Sequence, residues 1–386
     1  MRFEQDAVVK TGLAQVPLSA PDITQAEIDA VTAVLRGPQL SLGPELAAFE
    51  AELAEFHGVA DAVAVSSGTA GLHLALLTLG IGVGDEVILP SFTFIAVANA
   101  VLQVGATPVF AEIDPRALNL DAASVERAVS PRTRALLVVH TFGVPADMDA
   151  LLSVAHRHGL LVIEDACEAI GAEWGEAARR VGSFGDLAVF GFYPNKQITT
   201  GEGGAVLARD PAHARRLRTL RNQGREAGAG WLDHAEPGFN YRLSELACAL
   251  GRVQLGRIGE ILALRQEAAE RYDALLREIP GLETPPLTLP RCSVSWFVYV
   301  VRLAEGADRD RVQDVLAHRG ICTGRYFPPI HLQPAWKNHP SAKVSLPVTE
   351  QMARRTLALP FFNRIDADQQ ARVARVLERV LAGSLV

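Results

Sequence analysis

The chain has 386 residues, 49% of them hydrophobic, and a net charge of −7, which allows two or three domains around large cores. Acids and bases are spread along it, which argues against a nucleic-acid surface built on a basic patch but not against a small anion held by backbone amides. Every apolar run is broken by Arg, Asp, Glu or Pro short of a membrane span, Met1-Arg-Phe-Glu-Gln-Asp6 lacks a signal-peptide core, and the dispersed Cys167, Cys248, Cys292 and Cys322 form neither a disulfide framework nor metal-ligand spacing, so the expectation is a cytoplasmic protein without a metal site or a membrane anchor.

From about residue 60 to 210, short apolar runs alternate with segments of helical spacing. Ala62–Val65 reads as a buried strand, and Ser66-Ser-Gly-Thr-Ala70 closes it and opens the helix Ala70–Leu79. Free amides at such a helix start form an anion site; an ordinary N-cap by Ser67 or Thr69 fits the same residues. Gly80, Gly82 and Gly84 are spaced wrongly for a dinucleotide fingerprint and read as a turn. The strand Glu86–Leu89 leads into Phe92-Thr-Phe94 and the helix Ile95–Val104. Strands follow at Thr107–Phe110, Ala135–Val139, Leu160–Ile163 and Leu187–Phe190, with helices at Ala122–Val129 and Asp147–His158. This alternation implies an α/β unit with a mainly parallel sheet covered by helices on both faces. Ligands of such sheets gather beyond the carboxyl ends of the strands.

Residues 244–278 read as one long helix capped by Ser244 and ended by Pro280 and Pro285-Pro286. A smaller α+β unit follows, with a strand at Phe297–Arg302 and helices at Arg309–Arg319 and Ala367–Leu381. The domain boundary is placed inside the long helix, giving 1–255 and 256–386.

Four segments carry candidate chemistry. Lys196 lies in Phe190-Gly-Phe-Tyr-Pro-Asn-Lys-Gln-Ile-Thr-Thr-Gly-Glu-Gly-Gly204, between an apolar strand and a three-glycine loop. Held there and desolvated, the amine becomes nucleophilic, as a Schiff-base lysine requires; a solvated turn lysine is the competing reading. Asp165 ends the run from Leu160, where its carboxylate either enters the ligand crevice or bonds a nearby loop. Phe94 is placed either to stack on a flat ring or to fill the core. Asn240-Tyr-Arg242, before the long helix, offers polar groups for a phosphate or for a surface cap.

Together with Ser67-Gly-Thr-Ala70, Gly84-Asp-Glu-Val-Ile-Leu-Pro-Ser-Phe-Thr-Phe94, Gly105-Ala-Thr-Pro-Val-Phe110, Gly143-Val-Pro-Ala-Asp-Met-Asp149, Ile163-Glu-Asp-Ala-Cys-Glu168, Gly182-Ser-Phe-Gly-Asp186 and Gly238-Phe-Asn-Tyr-Arg242, these segments give the chain its resemblance to the DegT/DnrJ/EryC1/StrS sugar aminotransferases. The resemblance runs from about Pro17 to the final helix. It implies a fold-type I, pyridoxal 5′-phosphate-dependent enzyme that takes an amino group from L-glutamate and gives it to a nucleotide-linked keto sugar. By resemblance, Lys196 forms the Schiff base and shuttles the proton, and Asp165 pairs with the pyridinium nitrogen, whose ring acts as an electron sink. Phe94 stacks on that ring, and Gly68 and Thr69 hold the phosphate. Glu168 reaches the cofactor's phenolic oxygen, and Asn240 or Arg242 reaches the neighbouring site of a homodimer with shared active sites. His331, in Pro328-Pro-Ile-His-Leu-Gln-Pro334, matches a segment near the sugar; a plain loop histidine is the other reading.

Two positions depart from the commoner family pattern: Glu168 stands where many members have Gln, and Gly191 where many have Ser. Glu168 and the run Asn195–Gly204 look like the perosamine-synthase branch, which aminates C4 of a 4-keto-6-deoxy sugar. A 3-keto sugar or a keto-cyclitol is the alternative acceptor. A sugar 3-dehydratase of the same scaffold would carry histidine at position 196, and a degenerate regulator would have lost Lys196 or Asp165.

Overall fold

The computed structural model describes residues 14–385 apart from 229 and 231; Met1-Arg-Phe-Glu-Gln-Asp6 lies outside the described residues. Seven strands form the main sheet: β1 (Asp61–Val65), β2 (Glu86–Pro90), β3 (Thr107–Ala111), β4 (Thr133–Val139), β5 (Leu161–Asp165), β6 (Leu187–Gly191) and β7 (Gly204–Ala208). Their spatial order is β1-β7-β6-β5-β4-β2-β3. β2 to β6 pair in parallel, whereas β7 runs antiparallel between β1 and β6. The carboxyl ends of β1 to β6 therefore meet at one edge, and Asp165 sits level with Val139 and Val189. β7 was not anticipated. Its five buried residues follow directly on the glycine loop, too short a run to separate from it by periodicity.

Among the described residues, twelve α-helices flank this sheet and a second one: α1 (Gln25–Arg36), α2 (Pro44–His57), α3 (Gly68–Thr78), α4 (Ala96–Gln103), α5 (Ala122–Ala128), α6 (Met148–His158), α7 (Pro211–Arg221), α8 (Glu245–Gly256), α9 (Ile258–Leu276), α10 (Arg309–His318), α11 (Pro347–Arg355) and α12 (Ala367–Leu381). Alternate strand residues serve opposite faces. Val63, Leu89, Leu137, Val189 and Val206 pack with α3, α4 and α7, while Ala64, Ile88, Leu136, Phe190 and Leu207 pack with α2, α6 and α8. Both faces are dry, which accounts for the nearly continuous apolar strands.

The expected single helix over 244–278 is two. Ser244 caps α8 by accepting the Ala247 N–H, but Arg257 (φ −96°, ψ 5°) breaks the helix before α9. Its guanidinium is tied to Asp22, Glu27 and Glu260 at 3.0, 2.7 and 3.2 Å. The break lets α8 lie on α1 and α2 while α9 turns to a second core. That core joins α9, α10 and α12 to the strands β8 (Leu282–Glu283), β9 (Tyr299–Leu303) and β10 (Thr356–Leu359). Val16 belongs to it as well, pairing with Ile321, and the Phe361 N–H donates to Leu18 O at 2.9 Å.

Candidate active site

The loop between β6 and β7 leaves the sheet edge at Gly191 and folds back on itself. The Lys196 N–H donates to Tyr193 O at 2.9 Å, and the Thr200 N–H and Thr199 hydroxyl both donate to Phe192 O. Gly203 (φ 159°) makes the return: a Cβ there would lie 2.2 Å from Thr200 Oγ1. The Lys196 side chain is 15% exposed, with Nζ 3.4 Å from Glu168 Oε1 and 4.0 Å from the centre of the Phe297 ring. The reading of a solvated turn lysine is thereby excluded.

Asp165, 8% exposed, accepts the Cys167 N–H at Oδ1 (3.1 Å). Its other carboxylate oxygen has no hydrogen bond among the described residues. Three positions on, Glu168 accepts the Phe142 N–H at Oε2 (2.9 Å) and faces Lys196 with Oε1. Burial raises the Glu168 carboxyl pKa above the ordinary carboxylate value, against the pull of Lys196. Glu164, immediately before Asp165 in sequence, is structural. It accepts the N–H groups of Gly182, Phe184 and Gly185 and pairs with His140 Nε2 at 3.0 Å.

At the end of β1, Ser67 caps α3 by accepting the Ala70 N–H at 3.0 Å. The first amides of that helix, Gly68 and Thr69, take no acceptor among the described residues and form an anion cradle. Cys167 lies beneath it. A Cβ on Gly68 would stand 2.9 Å from Cys167 Sγ and one on Gly191 3.3 Å. The thiol occupies the space that a side chain at either glycine would need, which gives a packing reason for Gly191. Burial first, and the Asp165 carboxylate after it, push the Cys167 pKa well up.

Gly68, Asp165, Glu168 and Lys196 are thus brought to one crevice, from β1, β5 and the β6–β7 loop. The other candidates stand apart. Phe94, after β2, is 60% exposed. Asn240 is exposed, and Arg242 Nη1 donates to Asn222 Oδ1 at 3.0 Å; the strip between them touches the cradle through the Ser66 N–H, which donates to Tyr241 O. His331 is a buried ring, 3% exposed. Its Nδ1 is 2.7 Å from Ser91 Oγ and its Nε2 3.5 Å from Glu350 Oε1, so it braces the loop after β2 from behind.

Two further residues were missed. Phe297, under the Lys196 amine, comes from the segment before β9, and nothing local to Lys196 points to it. Arg265 of α9 is fully buried and donates to Trp296 O (2.8 Å), Phe297 O (3.1 Å) and Lys196 O (3.4 Å). It ties the lysine loop to the Phe297 segment. An arginine on an amphipathic helix ordinarily reads as a solvated charge.

The crevice fits pyridoxal 5′-phosphate. Lys196 would meet its aldehyde, the open oxygen of Asp165 its ring nitrogen, and the Gly68 and Thr69 amides its phosphate.

Residues 21–378 match the model of the DegT/DnrJ/EryC1/StrS aminotransferase family. The chain is 40% identical over 374 residues to the GDP-perosamine synthase of Caulobacter vibrioides, covering 96% of this chain and 99% of that one. It is 43% identical over 352 residues to the dTDP-3-amino-3,4,6-trideoxy-alpha-D-glucose transaminase of Streptomyces venezuelae, covering 90% of each. The crystal structure of S. venezuelae DesV in complex with ketimine intermediate superposes with a TM-score of 0.88 at 40% identity, covering 96% of this chain and 99% of that one.

Proposed function

The chain belongs to the DegT/DnrJ/EryC1/StrS aminotransferase family, and we propose that it moves the amino group of L-glutamate to C4 of a nucleotide-linked 4-keto-6-deoxyhexose. It is a pyridoxal phosphate-dependent sugar aminotransferase. The observation that carries the reading is the Lys196 amine, withdrawn from solvent between Glu168 and Phe297 at the strand edge that bears Asp165.

Pyridoxal 5′-phosphate, once bound, supplies a carrier for the amino group and a ring that takes up the electron pair of a breaking C–H bond. Lys196 Nζ takes the proton from the donor's α-carbon and later returns one to the acceptor carbon, a role typically worth about 10²–10⁴ in rate. Glu168 Oε1, 3.4 Å away, balances the charge on Nζ as that proton comes and goes. Asp165 holds a proton on the ring nitrogen through its open oxygen. Gly68 and Thr69 bind the phosphate at the α3 N-terminus. Phe297 keeps water from beneath Nζ, and Arg265 fixes both Phe297 and Lys196 through their carbonyls. Phe94, 60% exposed after β2, would be the residue to stack on the ring, and His331 serves the substrate wall by holding Ser91.

A homodimer with shared sites is part of the proposal. The uncovered Phe94 and Asn240 support it, since a partner would close over the first and receive the second or its neighbour Arg242. Among the described residues no helix is long and apolar enough to cross a membrane; a cytoplasmic location belongs to the same proposal. So does the domain boundary between 255 and 256, beside the Arg257 break.

Similarity to the perosamine synthase over nearly the whole chain supports C4. Similarity to the 3-amino-sugar transaminase supports a second reading, amination at C3. The test incubates the holoenzyme with L-glutamate and a panel of nucleotide-linked 3-keto and 4-keto sugars, with products identified by mass and NMR. A 4-amino product is expected. A 3-amino product establishes the second reading, and failure to form 2-oxoglutarate from L-glutamate in single turnover refutes glutamate as donor.

A further inference from the structure

The opposite edge of the main sheet carries a groove of about 470 Å³, bounded by the end of α2, the turn into β1, the segment before β6 and the end of β7; it is lined by His57, Gly58, Arg179, Arg180, Ser183 and Arg209. Three guanidinium groups share it in a chain of net charge −7. Among the described residues, the one carboxylate within 4.0 Å of any of them is Glu173, facing Arg180 Nε. Neutral groups tether them instead. Arg179 Nη2 donates to Ser183 O at 2.6 Å, with its guanidinium 4.3 Å over the Phe184 ring. Arg180 donates to Phe56 O and lies 4.2 Å over the Phe56 ring. Arg209 Nη1 donates to Phe184 O at 3.1 Å. Each arginine has five N–H donors, so most remain for a ligand.

His57 supplies a second, independent pointer. The ring is 4% exposed and packed against Phe56 and Phe190. Its Nδ1 lies 2.9 Å from Leu53 O. A carbonyl only accepts, so Nδ1 carries the hydrogen and Nε2 is left as a buried lone pair without a partner among the described residues. Burial first and the Arg180 charge after it keep the ring neutral at pH 7, lowering its pKa to about 4, while the Leu53 carbonyl and the Glu164 carboxylate pull the other way.

We propose that this groove binds a phosphate-type oxyanion that still carries a proton: inorganic phosphate, or a phosphomonoester taken up as its monoanion, the form that predominates below about pH 6. The guanidinium forks of Arg179, Arg180 and Arg209 hold its charged oxygens, and its P–OH donates to His57 Nε2. Sulfate and phosphodiesters have no such hydrogen at neutral pH, and they leave the buried lone pair unpaired, so the groove discriminates by the ligand's proton and not by its charge. The site is separate from the cofactor cradle, which lies at the other end of β1.

The holoenzyme, with its cradle filled, is titrated calorimetrically at pH 7 in phosphate-free buffer with inorganic phosphate, glycerol 3-phosphate, sulfate and dimethyl phosphate. Saturable binding of phosphate at least about tenfold tighter than of sulfate is expected, equivalent to one hydrogen bond of about 1.4 kcal/mol. The phosphomonoester arm tells free phosphate from an esterified ligand: tighter glycerol 3-phosphate assigns the site to a phosphorylated metabolite, and tighter inorganic phosphate to the free ion. Arg209→Gln should weaken phosphate about tenfold with turnover unchanged, and His57→Leu should erase the preference over sulfate. Equal binding of phosphate and sulfate by the native holoenzyme, absence of saturable phosphate binding, or undiminished affinity in Arg209→Gln each overturns the proposal.

Discussion

Asp165→Asn separates the chemical from the structural role of this carboxylate. The substitution is isosteric, and the amide oxygen keeps the 3.1 Å bond from the Cys167 N–H, so β5 and the turn after it should hold. The other oxygen becomes an NH₂ group, which presents a hydrogen where a protonated ring nitrogen needs an acceptor. What is lost is one charge-assisted hydrogen bond that strengthens as the ring takes up electrons, worth about 1.5–3 kcal/mol. At 1.36 kcal/mol per decade this is a fall of about 10- to 150-fold in kcat. Cofactor affinity should change far less, because the phosphate cradle and Lys196 are untouched. The assay is single-turnover formation of 2-oxoglutarate from L-glutamate, beside a cofactor titration followed by visible absorbance. A kcat within about threefold of the native enzyme, or loss of cofactor from a folded variant, would refute the assignment of Asp165 to the ring nitrogen.

Lys196→Ala should abolish turnover and borohydride trapping of the cofactor on the chain; mass spectrometry that finds another labelled lysine sinks the assignment. Gly191→Ser brings a Cβ to 3.3 Å from Cys167 Sγ and should destabilise by about 1–3 kcal/mol. In a double-mutant cycle Cys167→Ala should relieve that strain, and additivity within about 0.5 kcal/mol would show no contact. His57 has a folded pKa of about 4 against an ordinary 6.5. The unfolded chain therefore binds its proton first, and stability present above pH 6.5 is lost as pH falls towards 4, by about 3 kcal/mol in total. His57→Leu should remove that part of the acid sensitivity; urea unfolding in phosphate-free buffers at pH 7 and pH 4.5 compares the two chains, and identical slopes against pH would contradict it.

The six co-directional strands and most of the helices around them were legible because both faces of the sheet are buried, leaving short apolar runs between periodic segments. β7 was hidden by its contiguity with the lysine loop, and the Arg257 break by a sequence whose helical spacing continues straight through it. The same limit applies at the site. Lys196, Asp165 and Gly68 stand beside recognisable turns and strand ends, so their positions could be read locally. Phe297 and Arg265 reach the lysine from the region after α8, and only folding brings them there. Cys167 was legible as a free thiol, but its place under two glycines depends on three separate strand ends. For His331 the two readings stayed open because its partners, Ser91 and Glu350, are remote in sequence.

The seam at the start of the described chain bears on how the protein can be cut. Val16 is fully enclosed, donates its N–H to Gly320 O at 2.9 Å and accepts from the Cys322 N–H at 3.0 Å. The C-terminal unit thus borrows an edge from residues more than three hundred positions upstream. A fragment beginning at 256 would bare the Ile321 edge and the apolar bed of Val16, and would aggregate through it. Val16 and the segment 320–322 must both be synthesised before that layer can close, so the seam forms only after more than three hundred further residues have followed Val16.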